Sequence, residues 1–404
     1  MYAMRRASCP RASAGPGAAA VLAALTAALT TIAPTTAVAA DSVQLPVVRG
    51  SIAPGEPCVA ASGRKAEAEP WSAGALGLAR AWTLEEGDGV TVAVVDTGVG
   101  ADVPALAGRV RALGGAGEDC VGHGSFAAGL IAGARIDGVG PAGVAPRAAI
   151  LAVRGTDERG APTPGRVAAG IRAAADEGAE VVYVGQALAT GKKELTEAVA
   201  YAAARDALVV APVAPDALAE DRDEPGGFAP AAPWYWPASA PGVVAVTDFG
   251  PDGGRPANAP GVRGADLAAP GDAVVGNGPE GAGHYLGSGA SLAAAQVAGA
   301  AALVRAQHPG MTAAQAARQL TGAAYPASPP RLDPYAAMTA VLAGAPGAAP
   351  EAARARMPAP EPEGPRDRAL LVAGICGGVV LLLAGAAAVL PRGRARGWRP
   401  AGGA

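Results

Sequence analysis

Five apolar, β-branched stretches recur along the middle of the chain and predict buried strands. Between them, RVAAGIRAAADEG and ELTEAVAYAAARD carry apolar residues at the spacing of amphipathic helices. Strands buried on both faces that alternate with helices are typical of an α/β fold, in which helices cover both faces of a mostly parallel sheet. Catalytic groups in this architecture gather at the carboxyl ends of the strands. The predicted strands are 89–96, 148–153, 179–185, 207–213 and 242–249.

The N-terminal residues have the features of a secretory signal peptide. Three arginines precede the apolar stretch AAAVLAALTAALTTIA, and Ala37-Val38-Ala39 forms a small-x-small cleavage site. We therefore predict that residues 1–39 direct export. Residues 40–70 then form an N-terminal extension ahead of the folded domain.

A second apolar segment near the C-terminus predicts a membrane anchor. Residues 369–390 contain no charge, and at about 1.5 Å per residue this helix reaches roughly 33 Å, enough to cross a hydrocarbon core. Four arginines follow within residues 391–404, the cationic flank expected of a cytoplasmic tail. Residues 344–368, rich in Pro, Ala and mixed charges, are predicted to form a linker. We expect a single-pass cell-membrane protein whose main domain is extracytoplasmic.

Charge and cysteine usage limit the remaining possibilities. The formal net charge of -3 argues against a nucleic-acid binder. Cys9 lies in the leader and Cys376 in the apolar C-terminal segment, so Cys58 and Cys120 are the pair available for a disulfide in the exported part. No Cys/His cluster has the spacing of zinc ligands, so no zinc site is predicted.

Three residues are candidates for nucleophilic catalysis. Asp96 ends the first predicted strand, His123 lies between two glycines, and Ser291 follows a Gly-rich approach to a long apolar helix. Taken singly, Asp96 fits a turn cap as well as it fits a catalytic residue, and Ser291 fits a plain helix N-cap better than it fits a nucleophile. His308 precedes a proline at a helix end, and His284 lies in a Gly-rich loop, so His123 is the best general-base candidate.

The order of these residues, Asp then His then Ser, is the subtilisin order. The segments GVTVAVVDTGV, GHGSFAAGLIAG and GSGASLAAAQVAGAAALV resemble the three signature blocks of the subtilases, and the resemblance extends from Trp71 to Leu342. It therefore predicts a subtilisin-like peptidase domain at 71–343. The signal peptide, short extension, Pro-rich linker and single C-terminal helix further resemble the layout of the mycosins, membrane-anchored proteases associated with type VII secretion.

The resemblance implies a serine endopeptidase that acts through an acyl-enzyme and needs no cofactor. Asp96 would orient His123, and His123 would take the proton of Ser291 as it attacks the carbonyl. The expected partners are a protein or peptide substrate, the membrane, and a membrane secretion assembly.

One departure from the subtilase pattern bears on activity. The family's oxyanion asparagine follows a strand that reads LVVAPVAPD here, which places Pro215 or Asp216 where an amide donor is expected. The stretch 182–187 replaces the usual substrate-pairing sequence, and alanines stand at 290 and 295. Two functions therefore remain open: a slow or narrowly specific endopeptidase, and a weakly active or inactive scaffold that binds partners in a membrane assembly.

Overall fold

The computed structural model describes two units of the chain, which are treated separately below. The first unit ends at Leu342, and the second contains one long helix. The predicted signal peptide and most of the predicted linker lie outside the described residues. The described ranges are 43–218, 231–256, 259–261, 263–342 and 364–397.

A parallel sheet forms the centre of the first unit. The strands are β1 Thr91–Asp96, β2 Val110–Ala112, β3 Ala149–Arg154, β4 Val181–Val184, β5 Leu208–Pro212, β6 Val244–Phe249, β7 Leu267–Pro270, β8 Val274–Asn277 and β9 His284–Gly287. The first seven form the sheet in the order β2-β3-β1-β4-β5-β6-β7, so strands lie on both sides of β1 and all five predicted strands are neighbours. The predicted α/β class, with its mostly parallel sheet, is confirmed. β8 and β9 pair as an antiparallel hairpin outside this sheet.

Helices cover both faces of the sheet, and their ends follow local sequence signals. The Thr163 side chain accepts from the backbone of Arg166 at the start of α4, and Thr312 and Gln315 form a capping box at the start of α7. The helices of the first unit are α1 Trp71–Ala75, α2 Leu78–Ala81, α3 His123–Ala132, α4 Pro164–Asp176, α5 Lys192–Ala203, α6 Ala290–Gln307, α7 Ala313–Gly322 and α8 Pro334–Thr339.

The two faces of the sheet carry separate apolar cores. On one face, α3 and α6 pack against the sheet with residues such as Phe126 and Leu303 fully buried. On the other, α4 and α5 contribute Ile171 and Leu195. Because α6 is buried along nearly its whole length by alanine, valine and leucine, its first turn is held rigidly beside the end of β1.

The N-terminal extension lies along the surface of the domain from residue 43 onward. Val48 donates its N–H to the carbonyl of Leu286 in β9, and Ile52 donates to Arg159. Cys58 is joined to Cys120 by a disulfide, and the adjacent Val59 N–H donates to the Cys120 carbonyl. The extension therefore belongs to the same compact unit as the sheet.

Replacing both bonded cysteines with alanine is expected to lower the free energy of unfolding by about 4 kcal/mol, because the bond closes a long loop in the unfolded chain. The two cysteines are 62 residues apart. Urea unfolding of Cys58→Ala/Cys120→Ala beside the oxidised parent measures the difference. A loss below about 1 kcal/mol would contradict a stabilising bond, as would two free thiols in non-reduced mass mapping.

His284 links the hairpin to the extension rather than lining the cleft around Ser291. It is buried at the start of β9, and its Nδ1 accepts the N–H of Ala66 at 2.9 Å. Burial and the nearby charge of Lys65 lower the pKa of His284. The folded protein therefore favours the neutral imidazole, which is the form that can accept this hydrogen bond.

Acid is expected to weaken this attachment. Since the folded pKa of His284 is lowered, its contribution to stability is complete above the unfolded pKa of about 6.5 and is lost as the pH falls below it. Between about pH 7.5 and 5.5, wild type should lose more stability than His284→Asn, by at most about 1.4 kcal/mol per pH unit. Asparagine offers an acceptor that does not titrate, and equal losses in urea unfolding would refute the prediction.

The second unit is described as a single helix, α9, from Gly364 to Ala395. It extends beyond the predicted span 369–390 at both ends. Its segment Arg368–Ala395 is long and apolar enough, by length and composition, to cross a membrane. Arg392 and Arg394 lie in its last turn.

Candidate active site

The carboxyl end of β1 places Asp96 next to His123. Asp96 is fully buried, and its Oδ1 accepts the N–H of Thr97 at 2.7 Å. The Nδ1 of His123 lies 2.9 Å from Oδ2 and 3.0 Å from Oδ1 of Asp96. The carboxylate therefore fixes the orientation of the imidazole and requires a proton on Nδ1.

The Nε2 edge of the imidazole lies against the start of α6. His123 Nε2 lies 3.1 Å from Ser291 Oγ, and both side chains are buried. Ser291 lies in the first turn of an 18-residue helix, where backbone N–H groups are unpaired within the helix and the dipole favours negative charge. The structure thus brings the three predicted residues into one hydrogen-bonded chain, Asp96 to His123 to Ser291.

Asp119 holds the two loops that carry Asp96 and His123 together. Its Oδ1 accepts the hydroxyl of Thr97 at 2.8 Å, and its Oδ2 accepts the hydroxyl of Ser125 at 2.7 Å. Thr97 Oγ1 in turn accepts the N–H of Gly124. Asp119 is a site residue that was not predicted, although its position beside Cys120 and close ahead of the GHGS segment is a signal of such a role.

Tyr183 was also missed as a site residue. It is fully buried in β4, and its hydroxyl donates to Asp96 Oδ2 at 3.4 Å. Burial raises the pKa of Tyr183 well above its ordinary value, and the nearby Asp96 and Asp216 add to the effect, so the hydroxyl keeps its proton. Gly185 makes room for this contact, because a Cβ there would lie 1.8 Å from Asp96 Oδ2.

The sequence left Pro215 and Asp216 as candidates for the position of the family's oxyanion asparagine. The structure brings Asp216 to Ser291. Its Oδ1 accepts the Ser291 N–H at 2.9 Å, and its Oδ2 accepts the Ser291 hydroxyl at 2.6 Å. The same Oδ2 lies 3.3 Å from His123 Nε2. The carboxylate packs directly on Gly289, where a Cβ would come within 2.1 Å of it. These contacts belong to Asp216 and not to Pro215, so an acidic group lies beside the serine.

Two carboxylates on opposite sides dominate the electrostatics of His123. Burial by itself lowers the pKa of this imidazole, but Asp96 and Asp216 outweigh it and raise the pKa well above the ordinary value. Ser291 Oγ lies 2.6 Å from Asp216 Oδ2 and 3.1 Å from His123 Nε2, so its hydroxyl has both groups within hydrogen-bonding distance. The arrangement can therefore hold an imidazolium between two carboxylates at neutral pH.

The remaining candidate residues lie elsewhere. The Nε2 of His308 pairs with the carbonyl of Met338, and His284 contacts the extension. Among the described residues, no group of three or more His, Cys, Asp and Glu is arranged to hold a metal ion.

Comparison with known proteins identifies the family of this chain. The sequence model of the Subtilase family matches residues 87–346. Thermitase of Thermoactinomyces vulgaris is 36% identical over 56% of this chain and 79% of its own length. Mycosin-3 of Mycobacterium tuberculosis is 30% identical over 74% of this chain and 78% of its own length.

Solved structures give the same result. The crystal structure of MycP1 from the ESX-1 type VII secretion system superposes with a TM-score of 0.62 at 25% identity, covering 76% of this chain and 100% of that chain. A chain of an intact ESX-5 inner membrane complex gives a TM-score of 0.61 at 25% identity, covering 87% of this chain and 100% of that chain. The predicted subtilisin-like fold is confirmed, and this chain belongs to the subtilase family of serine proteases as a mycosin-like member.

Proposed function

We propose that this protein is a membrane-anchored, extracytoplasmic serine endopeptidase that hydrolyses peptide bonds with Asp96, His123 and Ser291. The observation that carries the proposal is the hydrogen-bonded chain from Asp96 through His123 to the Ser291 hydroxyl. A base within 3.1 Å of the nucleophile, oriented in turn by a buried carboxylate, is the arrangement that activates a serine.

Each of the three residues has a distinct part in the reaction. His123 Nε2 takes the Ser291 proton as Oγ attacks the carbonyl carbon, and it later returns that proton to the leaving amine. Asp96 stabilises the imidazolium formed in between. Water then hydrolyses the acyl-enzyme with the same base. Tyr183 holds Asp96 from the neighbouring strand through its hydroxyl.

Asp216 favours a second candidate function. A carboxylate that accepts both the backbone N–H and the hydroxyl of Ser291 opposes the negative charge that must develop there. A protein with this carboxylate would act as a scaffold that binds partners through the subtilase fold and hydrolyses peptides only slowly or not at all.

Labelling by a fluorophosphonate separates the two candidates. The reagent reacts with an activated serine and needs less help from oxyanion donors than a peptide does. We expect labelling of the intact protein, none of Ser291→Ala, and none of the unfolded chain. Failure to label the folded wild type would support the scaffold.

The helix α9 supports anchoring of this domain to a membrane. The similar structures also indicate what kind of partner to expect. One of them is a chain of an ESX-5 inner membrane complex, and MycP1 comes from a type VII secretion system. We propose that this protein works within an assembly of that kind. The four arginines in and after the last turn of α9, Arg392, Arg394, Arg396 and Arg399, favour a cytoplasmic tail and an extracytoplasmic peptidase domain.

Protease treatment of intact cells tests this topology. The peptidase domain is expected to be degraded while an epitope placed after Arg399 is protected. A variant cut before Gly364 is expected to appear in the medium. Protection of the domain, with digestion of the tail, would contradict the proposed orientation.

A further inference from the structure

A cleft on the first unit lies outside the candidate active site. It encloses about 430 Å³, a volume within the range of ligand pockets, and no triad residue lines it. The buried side chains of Leu76, Phe249 and Leu332 give it an apolar floor. We call it the arginine cleft, and the side chains around its floor are those of Arg80, Tyr325, Arg331 and Tyr335.

Each arginine of the cleft is held over an aromatic ring. The Cζ atom of Arg80 lies 3.5 Å from the centre of the Tyr335 ring, and that of Arg331 lies 4.5 Å from the centre of the Phe249 ring. Arg331 also donates to the carbonyl of Gly253 at 2.6 Å. A guanidinium that contacts a ring through its face keeps in-plane N–H groups available to an acceptor.

The positive charges of the arginine cleft are not neutralised by a neighbouring carboxylate. In the described part of the chain, neither of its guanidiniums forms an ion pair. By contrast, Arg111, Arg205 and Arg305 each pair with an acidic side chain. The carboxylate of Asp333 also lines the cleft, but it accepts the N–H of Ala336 at 2.8 Å and caps α8. The cleft therefore presents positive charge in a chain whose formal net charge is -3.

Aromatic side chains complete the cleft. Tyr325 lines it with 65% of its surface exposed, and Tyr335 lies beneath Arg80. Tyrosine and arginine are enriched among the residues that contribute most to the affinity of protein interfaces, where they surround well-packed apolar pockets. The arginine cleft has two residues of each kind around its apolar floor.

We propose that the arginine cleft is a docking site for a partner protein, and that it binds a segment in which a carboxylate side chain stands next to an apolar one. The carboxylate accepts N–H groups of Arg80 and Arg331, a bidentate geometry that guanidinium and carboxylate share. The apolar side chain lies on the floor. A concave site with a buried floor fits a protruding chain segment, whereas a flat lipid surface does not reach that floor. The proposal goes beyond the peptidase function and does not depend on it.

Two labelled peptides test the proposal on the full-length protein in detergent micelles. The acidic probe is fluorescein-labelled Gly-Glu-Phe-Glu-Phe-Gly, and the neutral probe has glutamine in place of both glutamates. The protein carries Ser291→Ala so that neither probe is cleaved. In fluorescence anisotropy at about 0.1 M salt, the acidic probe is expected to bind about tenfold more tightly than the neutral one. The difference is expected to shrink at about 1 M salt, where charges are screened within a few ångströms.

Substitutions of single arginines locate the binding. Because Arg80 is exposed, Arg80→Gln leaves the core intact and is expected to weaken binding of the acidic probe about tenfold. Arg331→Gln is expected to do the same, and its urea unfolding is measured beside it because Arg331 also holds Gly253. Arg172→Gln is the matched control. Arg172 lies over the ring of Tyr201 outside the cleft, so its loss is expected to leave binding unchanged.

Tyr325→Ala keeps the proposal testable without touching a charge. Its exposed side chain can be removed without loss of core packing, and binding is expected to weaken about fivefold. Equal binding of the two probes, or unchanged binding in both Arg80→Gln and Tyr325→Ala, would overturn the proposal. So would an equal loss in Arg172→Gln, which would indicate general attraction to positive charge.

A lipid arm separates the other possible source of negative charge. Phosphatidylglycerol vesicles that bind wild type but not Arg80→Gln, together with no binding of the acidic probe, would assign the cleft to a membrane surface and refute the proposal. None of these outcomes bears on the proposed peptidase, because fluorophosphonate labelling of Ser291 is measured on protein with an unaltered cleft.

Discussion

At about pH 8, Asp216→Asn is expected to raise kcat for peptide hydrolysis by about 10²–10³, the factor associated with one oxyanion donor in a subtilisin. The carboxylate lies on the Ser291 N–H and hydroxyl, so an amide of the same shape reaches the same place with a donor instead of a negative charge. The gain should appear in kcat more than in KM, because the oxyanion exists only in the transition state and the intermediate.

Pro215→Asn is the matched control for this prediction. The sequence allowed either position to supply the donor, but the contacts with Ser291 belong to Asp216. We expect no gain from asparagine at 215. An unchanged kcat in Asp216→Asn would mean that another group already stabilises the oxyanion.

The ambiguity between Pro215 and Asp216 has a physical origin. Both follow the apolar run of β5, and past the end of a strand no periodicity fixes which way a side chain points. A shift of one residue in the loop exchanges them. Only the packing of the carboxylate against Gly289, far along the chain, decides between the two.

The triad candidates could be located from sequence because each stands at an abrupt change of pattern. Asp96 ends an apolar run. His123 follows Gly122 and Ser291 comes two residues after Gly289, each at the start of a helix that is buried along all or nearly all of its length. Tyr183 offered no such signal. Inside a run of valines an aromatic residue reads as core, and its hydroxyl finds its partner on the neighbouring strand, which sequence periodicity does not reveal.

The predicted strands came from continuous apolar runs, and the strands that were missed lack such runs. β2 is three residues long at the edge of the sheet, with two of them exposed. β7 reads LAAP, with little β-branched content, yet it is fully buried next to β6. Tertiary packing creates these strands, whereas β1 and β4 are favoured by their own residues.

Ser291→Ala is expected to lower peptide turnover by about 10³–10⁴ in the wild-type background and by about 10⁶ in the Asp216→Asn background. The larger figure is the cost of removing the serine from a complete Asp-His-Ser site in a subtilisin. Wild type starts about 10²–10³ lower because Asp216 does not supply a permanent donor, so less activity remains to be lost.

The same reasoning predicts that Asp216→Asn has no effect once Ser291 is absent. The amide stabilises an oxyanion held beside the Ser291 N–H, and that species forms only when Oγ attacks the carbonyl carbon. Without the nucleophile, water attack does not direct the oxyanion to this donor. Rates of the parent, both single variants and the double variant therefore form a strongly non-additive cycle. A gain from Asp216→Asn that persists in Ser291→Ala would show that the amide acts on something other than the serine reaction.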